Sequence, residues 1–175
     1  MNSAKPVELG TVVMRPVRAD DIAAFERLWG RLSQETIYRR FHSPLRCLSL
    51  KLRRYLVEVD HGDREALVAV VGGEVIAVAR YDRSADDSGA AEVAVLVEDA
   101  WQGRGIGVRM LREIGGLAGR RGIHVLTGDV QAENRQMVHI ARSLLGPEAV
   151  RSCGPVVEVR GRLPIEQLAT VLIAS

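Results

Sequence analysis

The sequence is poor in the residues that build disulfide frameworks and metal centres. It contains two cysteines, Cys47 and Cys153, which lie far apart in the chain, and four histidines that share no common spacing. Disulfide-rich domains and zinc sites need several such residues at short, characteristic spacings. We therefore expect both cysteines to be reduced packing residues, and we predict neither a catalytic thiol nor a bound metal.

Long apolar runs and a strong excess of one charge are also absent. No apolar segment approaches the ~20 residues that a membrane-spanning helix needs, and the N-terminal residues contain no uninterrupted apolar stretch like that of a signal peptide. The formal net charge is only +2, from 24 Lys+Arg and 22 Asp+Glu, which is too small to indicate nucleic-acid binding. These features predict a cytoplasmic protein that binds neither membranes nor nucleic acid.

The composition that remains is typical of a folded globular domain. The 175 residues are 47% hydrophobic and 26% charged, and a chain of this size buries roughly 70% of its unfolded surface without help from disulfides. No internal repeat and no long linker divides the sequence. We predict one domain over residues 1–175, with a flexible N-terminus at residues 1–10 and a C-terminal tail at residues 164–175.

The spacing of apolar residues predicts a mixture of helices and strands. The expected elements are, in order, a strand at Thr11–Met14, a helix capped by Asp20, helices at Ser33–Phe41 and Leu48–Val57, strands at Ala66–Val71, Val75–Tyr81 and Ala91–Val97, a helix at Gly105–Arg121, a strand at Val125–Val130, a helix at Glu133–Leu145 and a strand at Val156–Leu163. Gly72 and Gly73 suit a two-residue hairpin turn. A strand, helix and strand in succession form a parallel crossover. We predict an α/β (α+β) fold with a mixed, mostly antiparallel sheet flanked by helices.

One segment is strongly basic. Between Thr36 and Val57 there are no acidic residues and six basic ones, namely Arg39, Arg40, Arg46, Lys51, Arg53 and Arg54. Such a run forms either a solvated helical face or a positive rim that attracts an acidic protein or the phosphates of a ligand. The sequence leaves both interpretations open. In the same segment, Tyr38 and Phe41 either line a binding groove or close the core, and we expect them to close the core.

A glycine-rich segment follows the strand that ends at Val97. Three glycines alternate in Gln102-Gly103-Arg104-Gly105-Ile106-Gly107, directly before the long helix. Glycine lets the backbone turn sharply and approach a ligand, and the unpaired N–H groups at a helix N-terminus favour anions. The segment matches neither the dinucleotide fingerprint nor the P-loop. It is either an anion site for another phosphate ligand or a plain turn that needs glycine for packing.

The pattern Q-x-x-G-x-G formed by Gln102–Gly107 resembles the pyrophosphate loop of the GCN5-related N-acetyltransferase (GNAT) family, which binds coenzyme A. The order of the elements also matches that fold, in which two parallel strands splay apart and hold the pantetheine arm of acetyl-CoA. Asn134 resembles the family asparagine that contacts this arm. The resemblance implies a set of residues that bind acetyl-CoA, namely Val95, Leu96, Val97, Gln102, Gly103, Arg104, Gly105, Ile106, Gly107, Val108, Asn134 and Met137.

Three stretches are similar, more narrowly, to the bacterial protein acetyltransferases that act on a lysine of acyl-CoA synthetases. They are Thr36–Phe41, Ala91–Val95 and Asp129–Met137. This similarity implies an acetyl-CoA-dependent N-acetyltransferase with a protein acceptor. His42 departs from the pattern, since these relatives tend to have a second phenylalanine there. An acetyltransferase for small amines and a non-catalytic acyl-CoA-binding regulatory module are the alternatives.

Acetyl transfer to a lysine requires removal of a proton, because an amine of pKa ~10.4 is almost wholly protonated at neutral pH. Glu92 is the one ionisable residue in the apolar strand Ala91–Val97. The resemblance implies that Glu92 is the general base, and we expect its side chain to be partly buried. The N–H group of Val95 or Val97 would stabilise the developing oxyanion. The alternative for Glu92 is a strand-end residue in a surface salt bridge.

Overall fold

The computed structural model describes residues 12–164 of the chain. Its helices and strands are β1 (Val13–Pro16), α1 (Ile22–Arg31), α2 (Gln34–Phe41), α3 (Leu50–Val57), β2 (Arg64–Val71), β3 (Glu74–Arg83), β4 (Ala90–Val97), α4 (Ile106–Arg120), β5 (Val125–Gln131), α5 (Arg135–Leu145), β6 (Val150–Cys153) and β7 (Val156–Arg162). The expectations for residues 1–11 and for the tail beyond Pro164 lie outside the described residues. Within 12–164, every helix is too short or too polar to cross a membrane.

The strands form one sheet in the order β1-β2-β3-β4-β5-β7-β6. Every neighbouring pair is antiparallel except β4 and β5, which are parallel and joined by α4. The turn between β2 and β3 has φ values of +57° at Gly72 and +84° at Gly73, as a two-residue type I′ turn requires. The predicted mixed, mostly antiparallel sheet is therefore confirmed.

Helices cover both faces of this sheet. On one face, α4 contributes Met110, Ile114 and Ala118, which are fully buried against β2, β3 and β4. On the other face, α1 and α3 bury Leu28 and Leu56. The apolar residues of α4 recur at every fourth position, so they lie on one side of the helix. Removing these side chains from water provides the main stabilisation of the sheet.

The start of α1 differs from the sequence-based expectation. Asp20 does not cap the helix, because a short 3₁₀ turn at Ala19–Asp21 precedes it. The carboxylate of Asp21 instead accepts a hydrogen bond from the N–H of Arg18 at 2.8 Å and pairs with the guanidinium of Arg15 at 2.7 Å. This ion pair ties the turn to β1, which the sequence pattern did not reveal.

Strand β6 and the two cysteines also differ from what the sequence patterns indicated. The edge strand β6 was not predicted, because its four residues are largely exposed and show no apolar alternation. Cys47 and Cys153 are free and exposed, so they are not packing residues. In α5, Val138, Ala141 and Leu144 pack inside, whereas Met137 is half-buried.

Gly161 of β7 has no room for a side chain, because α5 packs directly over it. A Cβ atom at this position would lie 2.5 Å from the Cβ of Leu145. We expect Gly161→Ala to lower the free energy of unfolding by about 1–3 kcal/mol. The control is Gly30→Ala in α1, where nothing lies within 4 Å of the added atom and alanine should stabilise the helix by about 0.5–1 kcal/mol. Urea unfolding measures both effects, and equal stabilities of the two variants would contradict the prediction.

Candidate active site

The parallel strands β4 and β5 pair over a short distance and then separate. Only Ala90, Ala91 and Glu92 of β4 have partners in β5, whereas β4 is paired with β3 from Ala91 to Val97. Beyond Glu92 the strands bound a cleft of about 710 Å³. All of the predicted site residues except Arg104 line this cleft.

The backbone of β4 presents polar groups to the cleft. The hydroxyl of Thr127 in β5 donates to the carbonyl of Ala91 at 3.3 Å, and a Cβ atom at Gly128 would lie 3.2 Å from the carbonyl oxygen of Val93. Because alternate residues of a strand direct their polar groups to the same edge, Val95 and Val97 also face the cleft. Their N–H groups can donate to a ligand.

Leu96 differs from its two neighbours on β4. Its side chain is buried with α1 and α3, and by the same alternation its backbone polar groups point toward β3. Leu96 therefore supports the cleft wall, while Val95 and Val97 provide the hydrogen-bonding edge.

The glycine loop, Gln102–Gly107, closes one end of the cleft. Gly103 and Gly105 have φ values of +71° and +76°. Apart from the adjacent residues, nothing within residues 12–164 lies within 4 Å of a Cβ atom built at either position. Gly105 is the N-cap of α4, whose first turn contains no acidic residue. The first backbone N–H groups of a helix have no partner within it. The loop thus offers an open concave backbone and free donors, which together suit a phosphate group.

Gln102 holds the glycine loop in place. Its side-chain amide donates to the carbonyl of Val97 at 3.0 Å and to the hydroxyl of Thr36 at 3.1 Å. These bonds connect the loop to the end of β4 and to α2. The side chain of Gln102 therefore positions the loop, and the loop backbone is the part available to a ligand.

Asp99 completes this connection from the other side. Its carboxylate accepts hydrogen bonds from the N–H and hydroxyl of Ser33, at 2.9 and 2.6 Å, and from the hydroxyl of Thr36 at 2.9 Å. Ser33 also caps α2 by accepting from the N–H of Thr36. The network was not predicted, although Ser33 at the start of a helical pattern signalled its N-cap.

The Asp99 network makes stability depend on pH. Burial opposes ionisation, but the hydrogen bonds from Ser33 and Thr36 outweigh it and lower the pKa of Asp99. Because the folded pKa lies below the unfolded one, the stabilisation is present above pH ~4 and is lost as pH falls through the folded pKa. We expect Asp99→Asn to cost about 1–2 kcal/mol at pH ~7 and less at pH ~3, which lies below the pKa of an unfolded aspartate. Urea unfolding at both pH values measures this difference, and a cost that is independent of pH would contradict the prediction.

Asn134 lies on the opposite side of the cleft from β4. It is the N-cap of α5, and its side-chain oxygen accepts a hydrogen bond from the N–H of Met137 at 3.2 Å. The cap occupies the oxygen, so the amide nitrogen is the group that can donate to a ligand. Asn134 and Met137 both line the cleft, as predicted for this pair.

Arg104 is the predicted site residue that lies outside the cleft lining. Its guanidinium lies over the ring of Trp101, 5.1 Å from the ring centroid, which is a cation–π geometry. Trp101 in turn packs against the α4 core and lines the cleft. The side chain of Arg104 thus covers Trp101 from the solvent side, and only its backbone belongs to the loop.

Glu92 lies at the other end of the cleft from the glycine loop. Its side chain is exposed, so the expected partial burial is wrong. The reason is its position where β4 leaves β5, since solvent enters between the strands there. Its cross-strand partner on β3 is Asp82, so the two carboxylates lie on the same face of the sheet.

Asp82 is neutralised by its neighbours. Its carboxylate accepts from Arg80 at 3.0 Å, from Arg64 at 2.9 Å and from the hydroxyl of Tyr55 at 2.8 Å. Burial opposes the effect, but these donors lower the pKa of Asp82. Burial raises the pKa of Tyr55, so its hydroxyl stays a donor. The network was not predicted, since it joins α3, β2 and β3 only after folding.

The basic segment has mixed surroundings. Arg39 pairs with Glu35, and Arg53 pairs with Glu26, so these two belong to solvated ion pairs. The other exposed basic side chains are Arg46, Lys51 and Arg54.

The two aromatic residues at the end of α2 differ from each other in burial. Phe41 packs on Trp29 with ring centroids 5.6 Å apart, as expected, but Tyr38 is 43% exposed and does not close the core.

Comparison with known proteins identifies relatives of this chain. Residues 23–146 match the acetyltransferase (GNAT) family. The chain is 36% identical over 137 residues to Acetyltransferase Pat of Mycolicibacterium smegmatis, a match that covers 75% of this chain and 41% of Pat. The chain thus spans about two fifths of the length of this curated relative.

Solved structures show the same likeness. The GNAT domain of S. lividans PAT matches with a TM-score of 0.80 and 33% identity, covering 86% of this chain and 89% of that domain. RimL, a ribosomal L7/L12 α-N-protein acetyltransferase in complex with coenzyme A, matches with a TM-score of 0.70 and 17% identity, covering 90% and 96%. At that identity the second match concerns the fold alone.

Proposed function

Because the chain belongs to the GNAT acetyltransferase family and is therefore an acyltransferase, we propose that it transfers the acetyl group of acetyl-CoA to a protein lysine, such as one of an acyl-CoA synthetase. The observation that carries the proposal is the cleft. The edge of β4 runs along the cleft from Glu92, the proposed general base, to Val97, beside the glycine loop that is the proposed anion site.

The cleft suits an extended ligand that carries phosphates at one end. The backbone N–H groups of Gly103–Val108 would hold the pyrophosphate of acetyl-CoA, and the edge of β4 would pair with the amides of its pantetheine arm. Asn134 would donate its side-chain amide to this arm from the α5 side. RimL, which shares the fold, is a complex with coenzyme A, and this supports coenzyme A as the type of ligand bound here.

The residues at the Glu92 end would carry the chemical step. Glu92 accepts a proton from the acceptor ammonium, directly or through a water molecule, and the neutral nitrogen then forms a bond to the thioester carbon. The N–H group of Val95 or Val97 stabilises the negative charge on the carbonyl oxygen. The C–S bond breaks, the nitrogen loses its remaining extra proton to solvent, and the leaving thiolate takes a proton from water.

The leaving thiolate does not need a tyrosine of this chain. Members of the family often use a tyrosine in the last helix to protonate the leaving thiolate. The resemblance places that position seven residues after Asn134, at Ala141, which is buried. Tyr55 is bonded to Asp82, and Tyr81 donates to the carbonyl of Gly62. A thiolate is a good leaving group, so water suffices as its proton source.

A protein acceptor is favoured by relatives and by charge. Acetyltransferase Pat and the GNAT domain of S. lividans PAT are 36% and 33% identical to this chain, and they belong with the protein acetyltransferases that the sequence resembles. Arg40 lines the cleft together with Glu92, and its positive charge, which is unpaired within residues 12–164, disfavours a small polycationic amine. An acidic protein surface would meet it favourably.

The test is acetyl transfer to a purified acyl-CoA synthetase, with peptide mass spectrometry as the readout. We expect acetylation of one synthetase lysine in the complete reaction, and none when either the protein or acetyl-CoA is omitted. Acetylation of polyamines or amino acids with an untouched synthetase would contradict the protein acceptor. Binding of acetyl-CoA without transfer to any amine would indicate a regulatory module instead.

A further inference from the structure

Arg40 occupies an unusual position at the Glu92 end of the cleft. It lies in the last turn of α2, is half-buried, and lines the cleft together with Glu92 and Tyr55. Its guanidinium lies 4.9 Å from the centroid of the Phe41 ring. Arg39, the preceding residue, is turned outward and pairs with Glu35. The two adjacent arginines therefore have different surroundings.

The guanidinium of Arg40 has no anionic partner in the part of the chain that the structure describes. Arg64 and Arg80 share the carboxylate of Asp82, whereas Arg40 forms neither an ion pair nor a side-chain hydrogen bond within residues 12–164. In that range, the Oε1 of Gln131 is the one fully buried side-chain nitrogen or oxygen atom without a hydrogen-bond partner. No nitrogen of Arg40 is therefore both unpartnered and fully buried. The nitrogens of Arg40 therefore reach the solvent of the cleft.

The charge of Arg40 is poorly solvated where it lies. Burial lowers the pKa of Arg40. The nearby positive charge of Arg80 adds to this effect, whereas Tyr55, Glu92 and Asp82 act in the opposite direction without outweighing it. A guanidinium nevertheless stays charged at all ordinary pH values, and it presents a planar fork of donors that matches a carboxylate. A partly buried charge of this kind gains most from an anion that enters the cleft.

The surroundings of Arg40 determine which anion fits. Glu92 lies at the same end and requires a cationic amine, so the acceptor must bring a positive group and a negative group close together. A lysine with an acidic residue beside it has this arrangement. The phosphates of acetyl-CoA do not, because the glycine loop lies at the opposite end of the β4 edge.

We propose that Arg40 forms a carboxylate subsite that selects acceptors in which the lysine is flanked by an acidic side chain. This inference rests on the proposed function and adds a sequence preference to it. The same carboxylate chemistry could come from the α-carboxylate of a small amino-acid acceptor, so the experiment includes both sources.

The experiment measures equilibrium binding, so it does not depend on turnover. Protein saturated with coenzyme A is titrated, by nuclear magnetic resonance, with capped peptides in which lysine is flanked on both sides by aspartate or by asparagine. A second pair of probes, Nα-acetyl-lysine and its amide, tests the α-carboxylate. We expect the aspartate peptide to bind about tenfold more tightly than the asparagine peptide.

Three variants separate a subsite from a general effect of positive charge. Arg40→Met removes the fork and keeps an unbranched side chain, and it should abolish the preference. Arg40→Lys keeps the charge without the planar fork and should retain part of it. Arg54→Met is the matched control, because Arg54 is exposed on α3 and lies outside the cleft lining; it should keep the full preference.

The outcomes distinguish this inference from the proposed function. An Arg40-dependent preference in either pair of probes supports the carboxylate subsite, and the pair that shows it identifies the source. Equal binding within both pairs, or a preference that survives in Arg40→Met, overturns it. Acetylation of lysine peptides without any such preference would leave the proposed function intact, whereas Arg40-dependent binding without acetylation would count against the proposed function alone.

Discussion

Glu92→Gln is expected to lower kcat/KM for acetyl transfer by about 10²–10⁴-fold, because the variant cannot accept the proton of the acceptor ammonium. The loss should shrink at high pH, where a growing fraction of a lysine of pKa ~10.4 is already neutral. Glu92 is exposed, so the free energy of unfolding should change by less than about 0.5 kcal/mol. The affinity for acetyl-CoA should also be unchanged.

The matched control for this prediction is Glu113→Gln, which makes the same substitution at an exposed position of α4 outside the cleft lining. Its kcat/KM should equal that of the wild type. Steady-state kinetics across a pH series compares the three proteins, and calorimetry checks acetyl-CoA binding. If Glu92→Gln retained wild-type activity at neutral pH, a water molecule or another group would have to be the base.

Gly105→Glu is expected to weaken acetyl-CoA binding by about 10²-fold or more. Gly105 has a φ of +76°, a conformation that costs a residue with a side chain about 1–2 kcal/mol. The new carboxylate would also project into the open space where the phosphates are expected and would replace an attractive site by a repulsive one. Calorimetric titration with acetyl-CoA measures the change.

The control variant is Gly73→Glu, which introduces the same backbone strain and the same charge away from the cleft. Gly73 lies in the turn between β2 and β3, has a φ of +84° and has nothing within 4 Å of the added Cβ. This variant should suffer a similar loss of stability but bind acetyl-CoA as the wild type does. Equal acetyl-CoA affinities of the two variants would show that the glycine loop does not bind the phosphates.

Local sequence signals predicted most of the secondary structure. Gly72 and Gly73 predicted the hairpin turn because few other residues adopt its positive φ angles. The apolar period of α4 and the apolar run of β4, interrupted only by Glu92, predicted that both elements pack into the core. The expected cap at Asp20 and the missed strand β6 show the limit of such signals, because distant residues or edge pairing decide both.

The residues of the candidate site were predicted less completely than the secondary structure. The glycine loop was found from its spacing, because a turn before a helix is a local feature, whereas Asn134 was implied by the family resemblance. The Asp99 network, the Asp82 network and the unpaired Arg40 were not found. The two networks include contacts between residues 18 to 66 positions apart in sequence, and the neighbours of Arg40 include the distant residues Arg80 and Glu92. No local pattern reports such contacts.

The sequence by itself determined most of the elements, the glycine-rich turn before α4 and the presence of one carboxylate in an apolar strand, because these depend on backbone preference and on the order of residues. Only the tertiary structure decided where β4 and β5 separate, that Glu92 is exposed at that point, and which arginines have partners. Strand separation and charge pairing depend on how distant segments pack, so they are properties of the assembled sheet and its helices.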